Sequence, residues 1–453
     1  VTQDLTACYG AMDGPGYAEE RLAAAREALS RIDARWPCFV CISGEMADAL
    51  IDAGKFAEAL EFLDAQTRSL RRMAGEGDVH RWAMQRGEAL LGLGRPDEAL
   101  EVFDQAAEPL EDTPTLARSI ANRRARALAQ LGRGEEGREA LVPFEDVLPT
   151  HSLHVSWVRA VLALVESGAL PNDVDLDLHL GRLFRSLEGA GAIRGAFEIA
   201  LARARLSAAR LSLVSARLAA EDAAGLVARL RRPGSAPLEL DRMRRRIESA
   251  ALEASEPAVP DDPEVLIRSL GKDPEVDLER LDAARRRWPD LEPIALWRAM
   301  ALGALGRDDR SEAELARFVD VHPEATEARL QLAESLLQSG QTGRLRALFS
   351  DGGATLATAA RVRVLWAVAR SWLVDGDLVS GRSTLEGILA TDPDSIDARL
   401  LLAEIERAEG KPEAALAWLD EAVARSPEGG EADWSRLVVA TLLVAAGCDK
   451  RAP

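Results

Sequence analysis

The chain has 453 residues, a formal charge of −19, 47% hydrophobic residues and only 4% aromatics. This acid excess disfavours general nucleic-acid binding, which needs clustered cations, and no run of about eighteen apolar residues marks a membrane span. Four cysteines, Cys8, Cys38, Cys41 and Cys448, are too few for a scaffold built on disulfides.

Alanine, leucine, arginine and glutamate dominate, which favours helix throughout. Lysine occurs only at Lys55, Lys272, Lys411 and Lys450, a bias that reads as GC-rich bacterial coding. Residues 1–16 are not basic-then-apolar and do not read as a signal peptide. The chain begins without Met, which is compatible with a leader or an upstream domain removed before Val1.

Residues 17–37 read as one amphipathic helix ending at Trp36-Pro37. Three helical hairpins are expected next: 38–53 and 55–73 about Gly54, 78–93 and 96–110 about Gly94, and 115–131 and 134–148 about Gly132. Residues 152–167 add a further first-type helix. From 173 to 254 the register is lost, and long helices over 192–232 and 238–254 are expected, broken at Pro233-Gly234-Ser235. Residues 255–263 read as a linker. The pattern resumes at Leu270-Gly271 and runs to a final unpaired helix over 430–446.

A small residue stands seven places before a glycine again and again. The pairs are Ala47/Gly54, Gly87/Gly94, Ala125/Gly132, Ala299/Gly306, Ala333/Gly340, Ala369/Gly376, Ala403/Gly410 and Ala440/Gly447. Five residues after these glycines the residue is usually small again (Ala59, Ala99, Gly137, Ser311, Gly381, Ala415), with Leu345 the exception. The last five glycines are spaced by 34, 36, 34 and 37 residues. A period near 34 means stacked helix–turn–helix units. The small residues fall where two helices of a unit cross, and the glycine ends the first helix in a left-handed conformation. Pro149, Pro289, Pro323, Pro393 and Pro427 each close a second helix.

These residues resemble the tetratricopeptide repeat. Its pattern is nearly complete over 395–428, with Ala403, Ala415, Leu419, Ala422 and Pro427, and again over 289–323, with Ala299, Ser311, Leu315 and Pro323. The resemblance covers about residues 38–168 and 270–447. It implies an all-α fold, a right-handed α-α superhelix in two blocks with an irregular, arginine-rich middle. The expected division is 1–168, 169–260 and 261–453. It also implies a non-enzymatic scaffold or adaptor that binds another protein, as a peptide or amphipathic helix, in its concave groove.

First helices line that groove in the family. Carried over, the groove of the C-terminal block presents Leu296, Met300, Leu330, Glu334, Trp366, Arg370, Leu400, Glu404, Trp434 and Leu437. The N-terminal block presents Cys41, Asp48, Arg81, Met84, Glu88, Asn122 and Arg126, a more polar set. The family's carboxylate clamp is not matched, since Met84, Glu88 and Val155 stand where it needs Lys or Asn, although Arg159 fits.

Other constellations are weaker. Cys38 and Cys41 form C-x-x-C at a helix start, where a thiol pKa falls, but two helix-packing residues are the simpler reading. His151 and His154 share a helical face without further ligands, so no metal is expected. No phosphate loop and no nucleophile-plus-base pair stands out, so neither a cofactor nor catalysis is expected. Residues 182–246 carry fourteen Arg against six acids, or +8, and the remainder carries −27. Arg229, Arg231, Arg232, Arg242, Arg244, Arg245 and Arg246 are the densest part. They form either a solvated face or a second contact, for an acidic partner, an anionic headgroup or another copy of the chain. A cytoplasmic location is expected, or the periplasm if a leader preceded Val1. Two further functional readings stand beside the scaffold: a regulatory or sensor fragment with an upstream effector domain, and an envelope-assembly or secretion component.

Overall fold

The computed structural model describes residues 15–33, 35–36, 38–74, 82–107, 113–230, 233–254, 257–351, 353–354 and 356–425. It divides into two compact units, Val1–Ala258 and Val259–Pro453. The division falls inside the expected linker.

The first unit contains α1 (Ala18–Ser30), α2 (Cys38–Asp52), α3 (Phe56–Ala74), α4 (Ala83–Gly92), α5 (Pro96–Ala107), α6 (Pro114–Gln130), α7 (Gly134–Ala140) and α8 (Phe144–Val147). It continues with α9 (His151–Glu166), α10 (Val174–Gly189), α11 (Ile193–Ala209), α12 (Leu213–Arg229) and α13 (Ala236–Glu253). Each first helix ends in the same turn. At Gly54, φ is +72°, Lys55 N–H reaches back to the Leu50 carbonyl at 2.8 Å and Gly54 N–H to Ile51 at 2.9 Å. These bonds satisfy carbonyls that the helix end would otherwise leave open. Gly94, Gly132 and Gly168 repeat it.

The middle third repeats it too, against the expectation of a lost register. Helix is not continuous over 192–232: it breaks at Arg210-Leu211, where Leu211 has φ +61° and Ser212 N–H bonds the Ser207 carbonyl at 3.0 Å. Seven residues before Leu211 stands Ala204, and five after it stands Ala216, both fully buried. The small/turn/small triplet is therefore present with leucine in the glycine place. The core of this region is continuous with the preceding hairpins, running from Val142 and Trp157 through Leu183 and Phe197 to Ile247.

The small residues have the predicted role. Ala47, Ala59, Ala99 and Ala125 are buried at helix crossings. A Cβ added to Gly87 would lie 2.1 Å from the Phe103 ring, so only glycine lets α4 and α5 approach this closely. Two other expectations need correction. The first helix stops at Ser30, not at Trp36. The helix expected over 134–148 stops at Ala140, because Pro143 has no N–H to donate. There Val142 N–H bonds Asn122 Oδ1 at 3.3 Å, and its carbonyl accepts the Trp157 Nε1 proton at 2.9 Å.

The second unit contains α14 (Pro263–Arg268), α15 (Pro274–Arg287), α16 (Glu292–Ala304), α17 (Asp308–Val321), α18 (Thr326–Gln338) and α19 (Thr342–Leu348). It ends, among the described residues, with α20 (Thr358–Val374), α21 (Leu378–Thr391), α22 (Ile396–Ala408) and α23 (Pro412–Arg425). The helices α15, α17 and α21 stop two residues before Pro289, Pro323 and Pro393. That is the place expected for a residue that restricts its neighbour and cannot extend a helix. Ala299, Ala333, Ala369, Ala403 and Ala415 are buried at the crossings, and Leu345 fills its crossing as a buried side chain. The expected final helix, 430–446, with Trp434, Leu437, Ala440 and Gly447, lies outside the described residues.

Candidate functional site

In the second unit, α18 and α20 pack side by side as first helices, with α22 next in the series. Their inner faces enclose a cavity of about 230 Å³ lined by Leu330, Ala333, Glu334, Leu337, Val362, Arg363, Trp366, Ala367, Ser395 and Asp397. Leucine 330 is buried and forms floor, whereas Trp366 is half-buried and Glu334 exposed. Arginine 363 donates to Glu334 at 2.9 Å across the rim. The Arg370 guanidinium sits 4.9 Å from the Trp366 ring centroid, a cation–π contact that holds the indole in place.

Three of the ten groove residues expected from sequence, Leu330, Glu334 and Trp366, thus meet in one cavity, with Arg370 beside them. Leu296 and Leu400 are half-buried against the core, and Met300 and Glu404 are exposed on their own helices. Trp434 and Leu437 lie outside the described residues. Sequence reading missed Leu337, Val362, Arg363, Ser395 and Asp397. Leu337 stands seven residues after Leu330 and Val362 four before Trp366, so helical periodicity could have found both.

The inner face of the first unit is of another kind. A cavity of about 420 Å³ is lined by Asp52, Glu88, Arg126, Arg159, Phe197, Glu198 and Glu239 among others. Its charges are paired between helices. Arg21 on α1 bonds Asp52 at 2.6 Å and Glu45 at 2.8 Å, both on α2. Glu88 on α4 meets Arg123 at 2.9 Å and Arg126 at 3.0 Å, both on α6. Arg159 on α9 meets Glu198 on α11 at 2.8 Å. Burial alone would raise Glu88, but Arg123 and Arg126 outweigh it and hold its carboxyl below the usual range. Burial depresses Arg126, and the like charge of Arg159 adds to this. The adjacent Glu198 raises Arg159. Burial pushes the Asp48 carboxyl up to about 6, against the pull of Arg21 and of the Gln85 amide.

Of the polar groove residues expected here, Asp48, Glu88 and Arg126 belong to this network, and Cys41 is exposed. Met84 packs against the core. Asn122 is fully buried and is used internally, donating to Ser156 Oγ and accepting from Val142 N–H, each at 3.3 Å. Arg81 lies outside the described residues, as do Cys8 and Cys448.

Cys38 and Cys41 are free and exposed at the start of α2. His154 is buried, with Nε2 3.1 Å from the Leu148 carbonyl, and burial lowers its pKa. His151 bonds Ser186 Oγ at 2.9 Å. Among the described residues no group of three His, Cys, Asp or Glu could hold a metal ion. Arg229 is paired with Glu188 at 2.5 Å, whereas Arg242, Arg244, Arg245 and Arg246 are exposed on α13. Arg231 and Arg232 lie outside the described residues. No helix among the described residues is long and apolar enough to cross a membrane.

Stacked helical hairpins with side chains gathered along the first helices define a helical-repeat interaction protein. Residues 45–117 and 296–350 match one model of the tetratricopeptide repeat, and 374–439 match another. The chain carries tetratricopeptide repeats over these residues, in both of its units. No curated protein matches it. Similar solved structures include yeast Tom70, at 13% identity and TM-score 0.25 over 91% of this chain and 96% of that one. The TPR domain of P58(IPK) aligns at 15% identity and TM-score 0.22, over 91% of this chain and 99% of that chain. The APC/C hetero-tetramer Cut9-Hcn1 aligns at 12% identity and TM-score 0.28, over 95% and 93%. The family matches, not these superpositions, carry the assignment.

Proposed function

We propose that this protein is a non-catalytic adaptor that holds a segment of a partner protein in the inner groove of its second unit. The observation that carries this reading is the apolar cavity between α18, α20 and α22, with Trp366 half-exposed at its mouth. A cavity of about 230 Å³ is wide enough for one large apolar side chain. Tryptophan in a desolvated pocket is a frequent anchor of binding energy. The rim of Glu334, Arg363, Ser395 and Asp397 supplies polar atoms of both kinds for the backbone of a bound segment. The partner segment therefore carries a leucine, methionine or phenylalanine anchor, on a helix or an extended stretch.

A displayed library of random fifteen-residue peptides, selected on the full chain, tests this. The selected peptides should share one large apolar residue, and their affinity should fall at least tenfold in Trp366→Ala, with helical circular dichroism unchanged. Peptides that bind Trp366→Ala as well as the parent would place recognition elsewhere.

A further inference from the structure

Cysteine outside a disulfide is among the residue types most often buried, as a small apolar filler. Cys38 and Cys41, the two cysteines among the described residues, are free and both exposed. Packing at a helix crossing, the simpler reading of the C-x-x-C sequence, therefore does not account for them.

The first turn of α2 sets the two thiols side by side. Phe39 and Ile42 enter the core, at 6% and 5% exposure, which leaves Cys38 and Cys41 together on the open side. Trp82, itself 2% exposed, donates its Nε1 proton to the Val40 carbonyl at 2.9 Å. Phe39 N–H reaches the Trp36 carbonyl at 2.9 Å. The backbone between the thiols is thus held by groups outside the helix. The stripe continues through Glu45, Asp48 and Asp52, at steps of three and four residues. Asp52 lines the inner cavity of the first unit, and Glu45 and Asp52 both bond Arg21. The dithiol accordingly stands at the N-terminal end of the inner stripe of α2.

The donor set selects what it can hold. Zinc takes four ligands, and among the described residues no three His, Cys, Asp or Glu side chains come together. Calcium and magnesium require oxygen. Thiolates are soft and favour Cu(I), an ion that two sulfurs in line can satisfy. Side chains three apart on a helix have Cβ atoms about 5–6 Å apart. Two sulfurs on opposite sides of one ion stand about 4.6 Å apart, twice a bond of the ~2.3 Å found for zinc and thiolate. Rotation about χ1 spans the difference.

We propose that Cys38 and Cys41 hold a single Cu(I) ion between their sulfurs. Each Sγ–H releases its proton to water as its bond to copper forms, and neither sulfur nor metal changes oxidation state. The resulting complex carries one negative charge, which exposure to water supports. This site belongs to the first unit and is independent of the groove at Trp366.

The full chain, reduced and kept free of oxygen, is titrated against the coloured Cu(I) complex of bicinchoninate. The proposal expects transfer of one Cu(I) per chain, with affinity lower by at least tenfold in Cys38→Ser and in Cys41→Ser. Both positions are exposed, so helical circular dichroism should not change; Cys38→Ala/Cys41→Ala serves if a serine variant loses it. Cys8→Ser/Cys448→Ser, which removes the other two thiols of the chain, should bind as the parent does. Copper-edge X-ray absorption should show two sulfurs. No transfer, or equal transfer to the parent and the Cys38 and Cys41 variants, overturns the proposal. So does loss of binding in Cys8→Ser/Cys448→Ser, or a third sulfur on the ion. A Cu(I)-dependent dimer in sedimentation would assign the ion to two copies of the chain, and retention of Zn(II) without Cu(I) would assign the thiols to another metal; either result also overturns it.

Discussion

Arg203 and Asp177 form a two-point ion pair in the first unit, with Nε to Oδ1 at 3.0 Å and Nη2 to Oδ2 at 2.7 Å. Both side chains are 2% exposed. Gly181, one turn beyond Asp177 on α10, leaves the space: a Cβ there would lie 3.2 Å from Arg203 Nη2. Asp177→Ala strands the buried guanidinium and should cost about 3–5 kcal/mol. Urea unfolding of the full chain, with exchange protection of α11 read by mass spectrometry, measures the loss. The double change Asp177→Leu/Arg203→Met should recover most of it, since a buried pair is often replaceable by apolar residues. A single-variant loss below ~1 kcal/mol, the value of an exposed pair, would mean that water reaches it.

Leu211 holds a conformation that a side chain disfavours, with φ +61°. The left-handed region costs a non-glycine residue about 1–2 kcal/mol. Its side chain is exposed and returns little of this in packing. Leu211→Gly should therefore stabilise the α11–α12 hairpin by about 1 kcal/mol, whereas Leu211→Ala should not. Protection of α11 and α12 against hydrogen exchange decides it.

Asp48 has its pKa pushed up to about 6 by burial, above the value in an unfolded chain. Between the ordinary carboxylate range and pH 6 the folded chain holds a proton that the unfolded chain has released. Stability from this group thus falls as pH rises through that window and is level above it. Asp48→Asn removes the ionisation. The variant should have a higher melting midpoint than the parent at about pH 7.5, and the gap should shrink as the pH is lowered through 6 towards 5. A constant gap across that range would show an Asp48 that titrates normally.

Asn122 stands in for a missing turn of helix, accepting the Val142 N–H where Pro143 prevents α7 from continuing. Asn122→Ala leaves that buried donor without a partner, at a cost of about 1–3 kcal/mol. Ser156→Ala should be milder, because the N–H of Val142 keeps its acceptor. A denaturation series that ranks the two in the opposite order would locate the key bond at Ser156.

The alternation of helix and turn was legible where a left-handed glycine stood between two small residues at the repeat spacing, as at Gly54, Gly94, Gly132 and Gly410, but not at Gly191, whose turn is the same while Phe184 stands seven residues before it. It became illegible at Leu211, because the turn there is set by the packing of Ala204 and Ala216 and not by the intrinsic preference of the turn residue. The break at Ala140 was likewise hidden: Pro143 signalled it, but Asn122 and Trp157, which make it stable, are distant in sequence. In the second unit the cavity residues Leu330 and Trp366 were readable from the repeat register. Arg363 and Asp397 were not, since their place on the rim depends on how neighbouring hairpins stack. Asn122 shows the opposite error, a groove position in register that side-chain hydrogen bonds turn inward.

The paired charges inside the first unit have a mechanical consequence. Arg21 with Glu45 and Asp52, Glu88 with Arg123 and Arg126, and Arg159 with Glu198 each tie one layer of the coil to another. They work as catches along the inner wall of a spring. Pulling on the ends would release them in turn while each helix stays wound. Dissolved ions would loosen chiefly the more exposed Arg159–Glu198 catch and leave those of Arg21 and Glu88, which are largely buried, mostly closed, so salt would soften this spring unevenly along its length.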